Sequence, residues 1–159
     1  MLAAHPDYAE AYNSLGVVRA RQGRHAEARA AFRKVLELDP TSAKAYENLA
    51  VDEMAAGDLD GAAGDLARAL ALDPRLASAH NALAAVRMRQ GREAEAIAAW
   101  KTALALNPRS YDVLYNLGTV LMKAGRREEA RPYLERFVRE APRSRYDADI
   151  RRIEPLLAR

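Results

Sequence analysis

The sequence predicts an all-α fold in which pairs of helices stack side by side into a solenoid. Five prolines recur at intervals of 34 residues along the 159-residue chain: Pro6, Pro40, Pro74, Pro108 and Pro142. Four glycines each lie 17 residues before one of these prolines: Gly23, Gly57, Gly91 and Gly125. A 34-residue period that contains two helix-ending residues, a glycine and a proline, is typical of a helix-turn-helix repeat. One such pair of helices cannot bury its apolar face without a neighbouring pair.

Each repeat contains two stretches of helix length, the first closed by its glycine and the second by its proline. Glycine tolerates the left-handed backbone on which a helix ends, whereas proline cannot continue a helix. Apolar residues recur in register: Leu15, Leu49, Leu83 and Leu117 in the first helices, and Leu36, Leu70, Leu104 and Val138 in the second. A column of small residues lets the two helices approach closely: Ala28, Ala62, Ala96 and Ala130.

The signature positions of the four units share one pattern of aromatic, Leu-Gly, Ala, aromatic and Pro. The first unit carries it as Tyr12, Leu15, Gly16, Ala28, Phe32 and Pro40. The other units carry variants of it: Tyr46, Leu49, Ala50, Ala62, Leu66 and Pro74; His80, Leu83, Ala84, Ala96, Trp100 and Pro108; Leu114, Leu117, Gly118, Ala130, Leu134 and Pro142. This pattern resembles the tetratricopeptide repeat family. The resemblance implies a right-handed α-solenoid whose first helices line a concave, usually peptide-binding side.

The spacing divides the chain into one continuous domain of four units with short ends. The units are expected at residues 9–42, 43–76, 77–110 and 111–144. Residues 1–8 resemble the tail of a preceding repeat, because Pro6 keeps the proline spacing and Leu2 aligns with Leu36. We therefore expect the natural polypeptide to continue upstream, the alternative being an irregular native N-terminus. An exposed N-terminal face would also permit self-association.

Residues 145–159 are predicted to form a capping helix over the last unit. Apolar residues recur there at helical spacing among charged ones: Tyr146, Ile150, Ile153 and Leu157. Ser144 is expected to cap the start of this helix, and Pro155 is expected to end or kink it. The apolar side of the helix then covers the open end of the array.

Composition and motifs argue against an enzyme, a metal site and a bound cofactor. The chain has no cysteine, no glycine-rich phosphate loop and no paired-histidine motif. Its histidines, His5, His25 and His80, fall at positions that the repeat geometry does not bring together. No apolar run reaches membrane-spanning length, so we expect a soluble chain, cytoplasmic by default and otherwise of unknown compartment.

The charges do not favour nucleic acid or a membrane as a partner. The 25 basic residues exceed the 22 acidic ones only slightly. Towards the C-terminus arginines alternate with glutamates, which is typical of a solvated helix face, and no aromatic stacking platform accompanies them. A protein or a peptide is therefore the expected partner.

First-helix positions outside the packing signature give the candidate binding surface. They combine amides that can bond a peptide backbone with deformable methionines. The candidate peptide-groove residues are Asn13, Asn48, Met54, Asn81, Met88, Tyr115, Asn116 and Met122. Ordinary packing between repeats is the alternative interpretation of the methionines, and an exposed asparagine needs no ligand to explain it.

A charged column stands where the family usually has an aromatic residue late in the first helix. It reads Arg19, Glu53, Arg87 and Leu121. Because the charge alternates between neighbouring units, we expect salt bridges between units, the alternative being a polar rail for a ligand. Exposed pairs of this kind contribute only about 0–1 kcal/mol each.

The clamp with which some relatives hold a C-terminal carboxylate is not expected here. The resemblance places its lysine, asparagine and arginine positions at Asn13, Val17, Asn48, Ser78 and Ala82. Only Asn48 fits. Without clustered cations a terminal carboxylate loses its charge-assisted hydrogen bonds.

Two functions remain open from the sequence. The first is a non-enzymatic protein-protein interaction scaffold that binds a peptide or protein segment in the concave groove. The alternative is a structural or oligomerisation arm of a larger multidomain protein. The Ala- and Arg-rich repeats resemble those appended to large bacterial proteins, including sulfatase-like hydrolases and sugar transferases.

Overall fold

A computed structural model gives the backbone of residues 6–158 and the side chains of residues 8–158. Within this range the chain forms nine helices: α1 (Pro6–Arg21), α2 (His25–Leu38), α3 (Ala43–Ala56), α4 (Leu59–Leu72), α5 (Ala77–Arg89), α6 (Glu93–Leu106), α7 (Tyr111–Lys123), α8 (Arg127–Glu140) and α9 (Arg143–Leu157). The first eight pack as four consecutive pairs, and each pair also contacts the next. The predicted all-α repeat solenoid is confirmed.

The first helix begins earlier than the repeat spacing predicts. It starts at Pro6, where the missing N–H of proline removes no intrahelical hydrogen bond. Residues 6–8, which the pattern assigns to the tail of an earlier helix, therefore extend α1. Residues 1–5, with Leu2, His5 and the rest of that predicted remnant, lie outside the described residues.

The two kinds of helix end follow the predicted glycines and prolines. The four glycines have left-handed backbones, with φ values of 72°, 90°, 75° and 76° in chain order. After Gly57, for example, the Asp58 N–H bonds back to the Glu53 carbonyl at 2.9 Å, which satisfies the last turn of α3. The second helices of all four units end two residues before their prolines, at Leu38, Leu72, Leu106 and Glu140.

Small residues let the two helices of a unit approach closely, as predicted. All four alanines of this recurring column are fully buried: Ala28, Ala62, Ala96 and Ala130. Glycine is required where a larger residue faces it. A Cβ atom on Gly16 would lie 2.4 Å from the Phe32 ring, and one on Gly118 would lie 2.5 Å from Leu134.

First helices of neighbouring units contact one another in the first three units. Helix α1 contacts α3, and α3 contacts α5, whereas second helices of neighbouring units make no comparable contact within the described chain. These contacts bring together the helices that carry the candidate residues of the first three units.

The last helix differs from the prediction at its start and along its length. It begins at Arg143, with Pro142 as the N-cap residue and no side-chain capping bond, so the predicted cap by Ser144 is wrong. The helix continues through Pro155, and its non-helical residue is Tyr146, with φ −118° and ψ 15°.

Aromatic packing accounts for the position of this kink. The Tyr146 ring meets Phe137 edge-on at 5.5 Å between ring centroids and Tyr111 at 6.1 Å. Its hydroxyl donates to Asp112 Oδ1 at 2.9 Å. Burial of the ring and the bond to this carboxylate raise the pKa of Tyr146. Together these contacts anchor α9 on the fourth unit, as a cap requires.

Candidate functional site

Five of the eight candidate groove residues line two clefts along the first helices. The N-terminal cleft, of about 290 Å³, lies between units 1 and 2 and is lined by Val17, Ala20, Arg21, His25, Phe32, Asn48, Val51, Asp52 and Ala55. The C-terminal cleft, of about 460 Å³, lies among units 3 and 4 and α9. It is lined by Met88, Trp100, Tyr115, Asn116, Thr119, Val120, Met122, Lys123, Leu134, Arg152, Ile153 and Leu156.

The C-terminal cleft brings together four of the eight candidates: Met88, Tyr115, Asn116 and Met122. Two fully or nearly buried side chains, Trp100 and Leu134, belong to its lining and to the largest apolar core. Met88 and Met122 are only partly buried against that core. The cleft therefore presents the unbranched, polarizable side chains of Met88 and Met122 above the buried core residues Trp100 and Leu134.

Asn116 supplies a free amide to this cleft. Its backbone carbonyl accepts a hydrogen bond from the Thr119 hydroxyl at 3.0 Å, and the same hydroxyl lies 2.7 Å from the Tyr115 carbonyl. The side-chain amide of Asn116 forms no hydrogen bond with the residues that the structure describes. Both its donor and its acceptor are thus available to a ligand backbone.

Two cations give the C-terminal cleft a positive character. Lys123 forms no ion pair with any described side chain, and it lines the cleft. Arg152 donates to the Tyr115 hydroxyl at 3.1 Å, and its nearest carboxylate, that of Asp149, is 3.8 Å away. A carboxylate on a ligand would find both cations without displacing a close ion pair.

The N-terminal cleft is more apolar, and Asn48, the one candidate residue in its lining, is already paired. Asn48 Nδ2 donates to Asn13 Oδ1 at 2.7 Å, which joins equivalent helices of neighbouring units. Val51 is 44% exposed on the same cleft. A ligand at either amide would therefore have to compete with the hydrogen bond between Asn13 and Asn48.

Like Asn13, the candidates Asn81 and Met54 lie outside the lining of both clefts. Asn81 Oδ1 accepts a hydrogen bond from Trp100 Nε1 at 2.9 Å and so orients the indole. Met54 packs against the buried cluster of units 2 and 3, and its carbonyl accepts a hydrogen bond from Arg89. For these two residues the geometry favours packing over ligand contact.

The charged column does not form the salt bridges between units that its alternation predicts. Arg19 pairs instead with Glu27 of its own unit at 3.4 Å, and Arg87 pairs with Glu95 at 3.3 Å. Glu53 forms no ion pair within the described part of the chain. The predicted salt bridges between units are wrong, because each arginine pairs with a glutamate in the second helix of the same unit.

The arginines near the C-terminus are engaged by the glutamates between them. Arg126 pairs with Glu129, Arg131 with Glu135 and Arg136 with Glu140, at 2.5–3.0 Å. Among residues 6–158, no cluster of three or more acidic or histidine side chains is arranged to hold a metal ion. Over the described helices, none is long and apolar enough to cross a bilayer.

The sequence did not predict the contribution of α9 to the C-terminal cleft. Arg152, Ile153 and Leu156 form part of its lining, although they belong to the capping helix. That helix has no equivalent in the repeats, so no column of aligned positions indicates which of its residues turn toward the groove. Helical spacing identified only its apolar residues.

Comparison with known proteins agrees with this architecture. A sequence model for "Tetratricopeptide repeat" matches residues 1–43, 47–100 and 86–145. A search of curated proteins gave no significant match. Among solved structures, Pseudomonas aeruginosa PilF is similar with a TM-score of 0.80 and 27% identity over 96% of this chain and 76% of PilF.

Two further solved structures share the fold. MamA is similar with a TM-score of 0.75 and 28% identity over 87% of this chain and 81% of MamA. The first TPR of Spaghetti (RPAP3), solved with the HSP90 peptide SRMEEVD, has a TM-score of 0.73 and 20% identity over 79% of this chain and 99% of that domain. The match to the family covers most of this chain, which therefore belongs to the tetratricopeptide repeat family.

Proposed function

We propose that the chain is a protein-interaction scaffold that binds a peptide segment in the C-terminal cleft. Repeats of this family support a protein-interaction role and are typically non-catalytic. The observation that carries the choice of cleft is the side-chain amide of Asn116, which lines it and forms no hydrogen bond within the described residues. The Asn48 amide, by contrast, already donates to Asn13.

The side chains around this amide suggest the chemistry of the peptide. An apolar side chain of the peptide packs against Met88 and Met122, which adapt their shape to it. A neighbouring carboxylate meets Lys123 and Arg152, and the Asn116 amide bonds the peptide backbone. We therefore expect an extended segment in which an acidic residue lies next to a bulky apolar one.

Selection from a random-peptide display library provides the ligand for a direct test. The affinity of an enriched peptide is then measured by fluorescence anisotropy for the wild-type chain and for Asn116→Ala and Met122→Ala. Each substitution is expected to weaken binding about tenfold, which corresponds to a loss of about 1.4 kcal/mol.

Met54→Ala is the matched control, because Met54 occupies the same column as Met122 but lies outside the cleft. It is expected to leave the affinity unchanged, and thermal melting checks that every variant is folded. Equal losses in Met54→Ala and Met122→Ala, or no loss in either cleft variant, would contradict the proposal.

A further inference from the structure

A third cleft lies at the junction of the first two units, formed by α2, α3 and α4. It has a volume of about 460 Å³, and we call it the Glu53 cleft. The residues of its lining that matter for its chemistry are Arg33, Tyr46, Glu53, Gly64, Asp65 and Arg68. None of the candidate groove residues belongs to its lining, so this cleft is separate from the peptide site proposed above.

The second unit departs from its neighbours at two positions of this cleft. In units 1 and 3 an arginine late in the first helix pairs with a glutamate of the second helix, as Arg87 does with Glu95 at 3.3 Å. In unit 2 the arginine is replaced by Glu53 and the glutamate by Gly61. The charge at the first position is therefore reversed, and the second position has lost its side chain.

Packing explains one of the two glycines in α4 but not the other. The Gly61 N–H donates to Asp58 Oδ1 at 2.9 Å, and a Cβ on Gly61 would lie 2.5 Å from that carboxylate. A Cβ on Gly64 would have no atom within 4 Å. Gly64 therefore leaves space in the wall of the cleft that the fold does not require.

Glu53 lines this cleft with a carboxylate that forms no ion pair with the described residues. Its Oε2 atom is buried and has no hydrogen-bond partner. Burial, and the nearby carboxylates of Asp65 and Asp58, raise the pKa of Glu53 to about 7, against the opposing effect of Arg33 and Arg29. A partly buried carboxylate without a partner costs free energy, and a cationic donor that pairs with it offsets that cost.

The two arginines that line the cleft, Arg33 and Arg68, do not pair with the Glu53 carboxylate. Arg68 is directed to Asp65 at 3.2 Å, and its guanidinium lies 5.9 Å from the centroid of the Tyr46 ring. Arg33 lines the cleft but forms no ion pair with the described residues. Among those residues no cluster of three or more acidic or histidine side chains is placed to hold a metal ion.

We propose that the Glu53 cleft binds an arginine side chain of a partner protein, whose guanidinium pairs with the carboxylate of Glu53. A guanidinium suits the cleft because its several planar donors serve more than one acceptor, here Glu53 together with Asp65. The volume left by Gly64 admits the alkyl stem. Since the pair needs an ionised Glu53, the bound arginine lowers the pKa of that carboxyl.

The test uses the complete chain labelled with ¹⁵N, together with ¹³C at the glutamate carboxyl groups. N-acetyl-arginine methylamide is titrated into it, and the neutral isostere N-acetyl-citrulline methylamide is titrated in parallel. The arginine probe is expected to shift the Gly61 and Gly64 amide signals in a saturable manner and to lower the pKa of Glu53. The citrulline probe is expected to do neither.

Glu53→Gln is expected to weaken the response to the arginine probe at least tenfold. The matched control is Glu95→Gln, which removes an exposed carboxylate of the neighbouring unit and should leave the response intact. Equal responses to the two probes, an unchanged response in Glu53→Gln, or no saturable shift at all would overturn the proposal. So would a pKa of Glu53 below 4.5 in the free protein, because a residue of the chain would then already pair with it.

Discussion

Asp52 of α3 accepts a hydrogen bond from Arg29 of α2 at 2.8 Å, so a buried carboxylate links the first two units. His25 Nδ1 lies 2.6 Å from the other oxygen of the same carboxylate. Asp52 is only 3% exposed, and the equivalent positions in the other units hold valine: Val18, Val86 and Val120. The junction between units 1 and 2 thus uses an ionic contact where the repeat pattern has an apolar one.

The two sides of this contact are expected to respond differently to substitution. Arg29→Ala leaves a buried carboxylate with one partner fewer and should lower the free energy of unfolding by about 1–3 kcal/mol. Asp52→Val restores the apolar residue of the column and should be neutral or stabilising, because well-packed apolar residues often replace buried ion pairs without loss. Urea unfolding followed by circular dichroism measures both. A larger loss for Asp52→Val than for Arg29→Ala would contradict this account.

Gly64→Ala is expected to stabilise the protein by up to about 1 kcal/mol. Alanine has the higher helix propensity, and the added Cβ meets no atom within 4 Å. Gly118→Ala is the comparison, because its Cβ would lie 2.5 Å from Leu134 and overpacking costs about 1–3 kcal/mol. Thermal and urea unfolding give the order of stability as Gly64→Ala, wild type, Gly118→Ala. A destabilising Gly64→Ala would show that the prediction is wrong.

Equivalent leucines of different units are expected to contribute unequally. Leu117 is fully buried, so Leu117→Ala should cost about 2–5 kcal/mol, the range for a core cavity. Leu15 occupies the same column but is 40% exposed on the first unit, so Leu15→Ala should cost about 1 kcal/mol or less. Chemical denaturation of the two variants checks the difference, and equal costs would be inconsistent with the burial described.

The pH dependence of stability is expected to change when Glu53 is replaced. The pKa of Glu53 is raised to about 7 from its ordinary 4.5, so between these values the folded chain binds more protons than the unfolded chain. The contribution of this group to stability is therefore present below about pH 4.5 and is lost as the pH rises through 7. Glu53→Gln removes that dependence. Relative to wild type, the variant should gain stability on going from pH 4.5 to pH 8, and a constant difference in Tm would refute this.

The sequence predicted the helices well wherever the repeat supplied several copies of the same signal. Gly57 and the equivalent glycines end first helices with a left-handed backbone, and Ala62 lies in a column that is buried throughout. A recurring residue type at a fixed spacing reports a shared backbone requirement. That redundancy explains why the fold was accessible from one sequence.

Prediction was weaker where a position has no equivalent or where its neighbours decide its role. The kink of α9 follows the burial of Tyr146 rather than the presence of Pro155. Asn48 and Asn116 share one column, yet the amide of Asn48 is bonded to Asn13 whereas that of Asn116 is free within the described chain. Residue type and spacing are the same in both cases, and only the surrounding side chains distinguish them.

The location of the peptide site is tested most directly by amide hydrogen exchange with and without a selected peptide. Binding in the C-terminal cleft predicts slower exchange in α7 and in the second half of α9, which contribute Asn116, Met122 and Arg152. Helices α1 and α3 should exchange at unchanged rates. Protection confined to α1 and α3, or to the second helices of the units, would contradict the account.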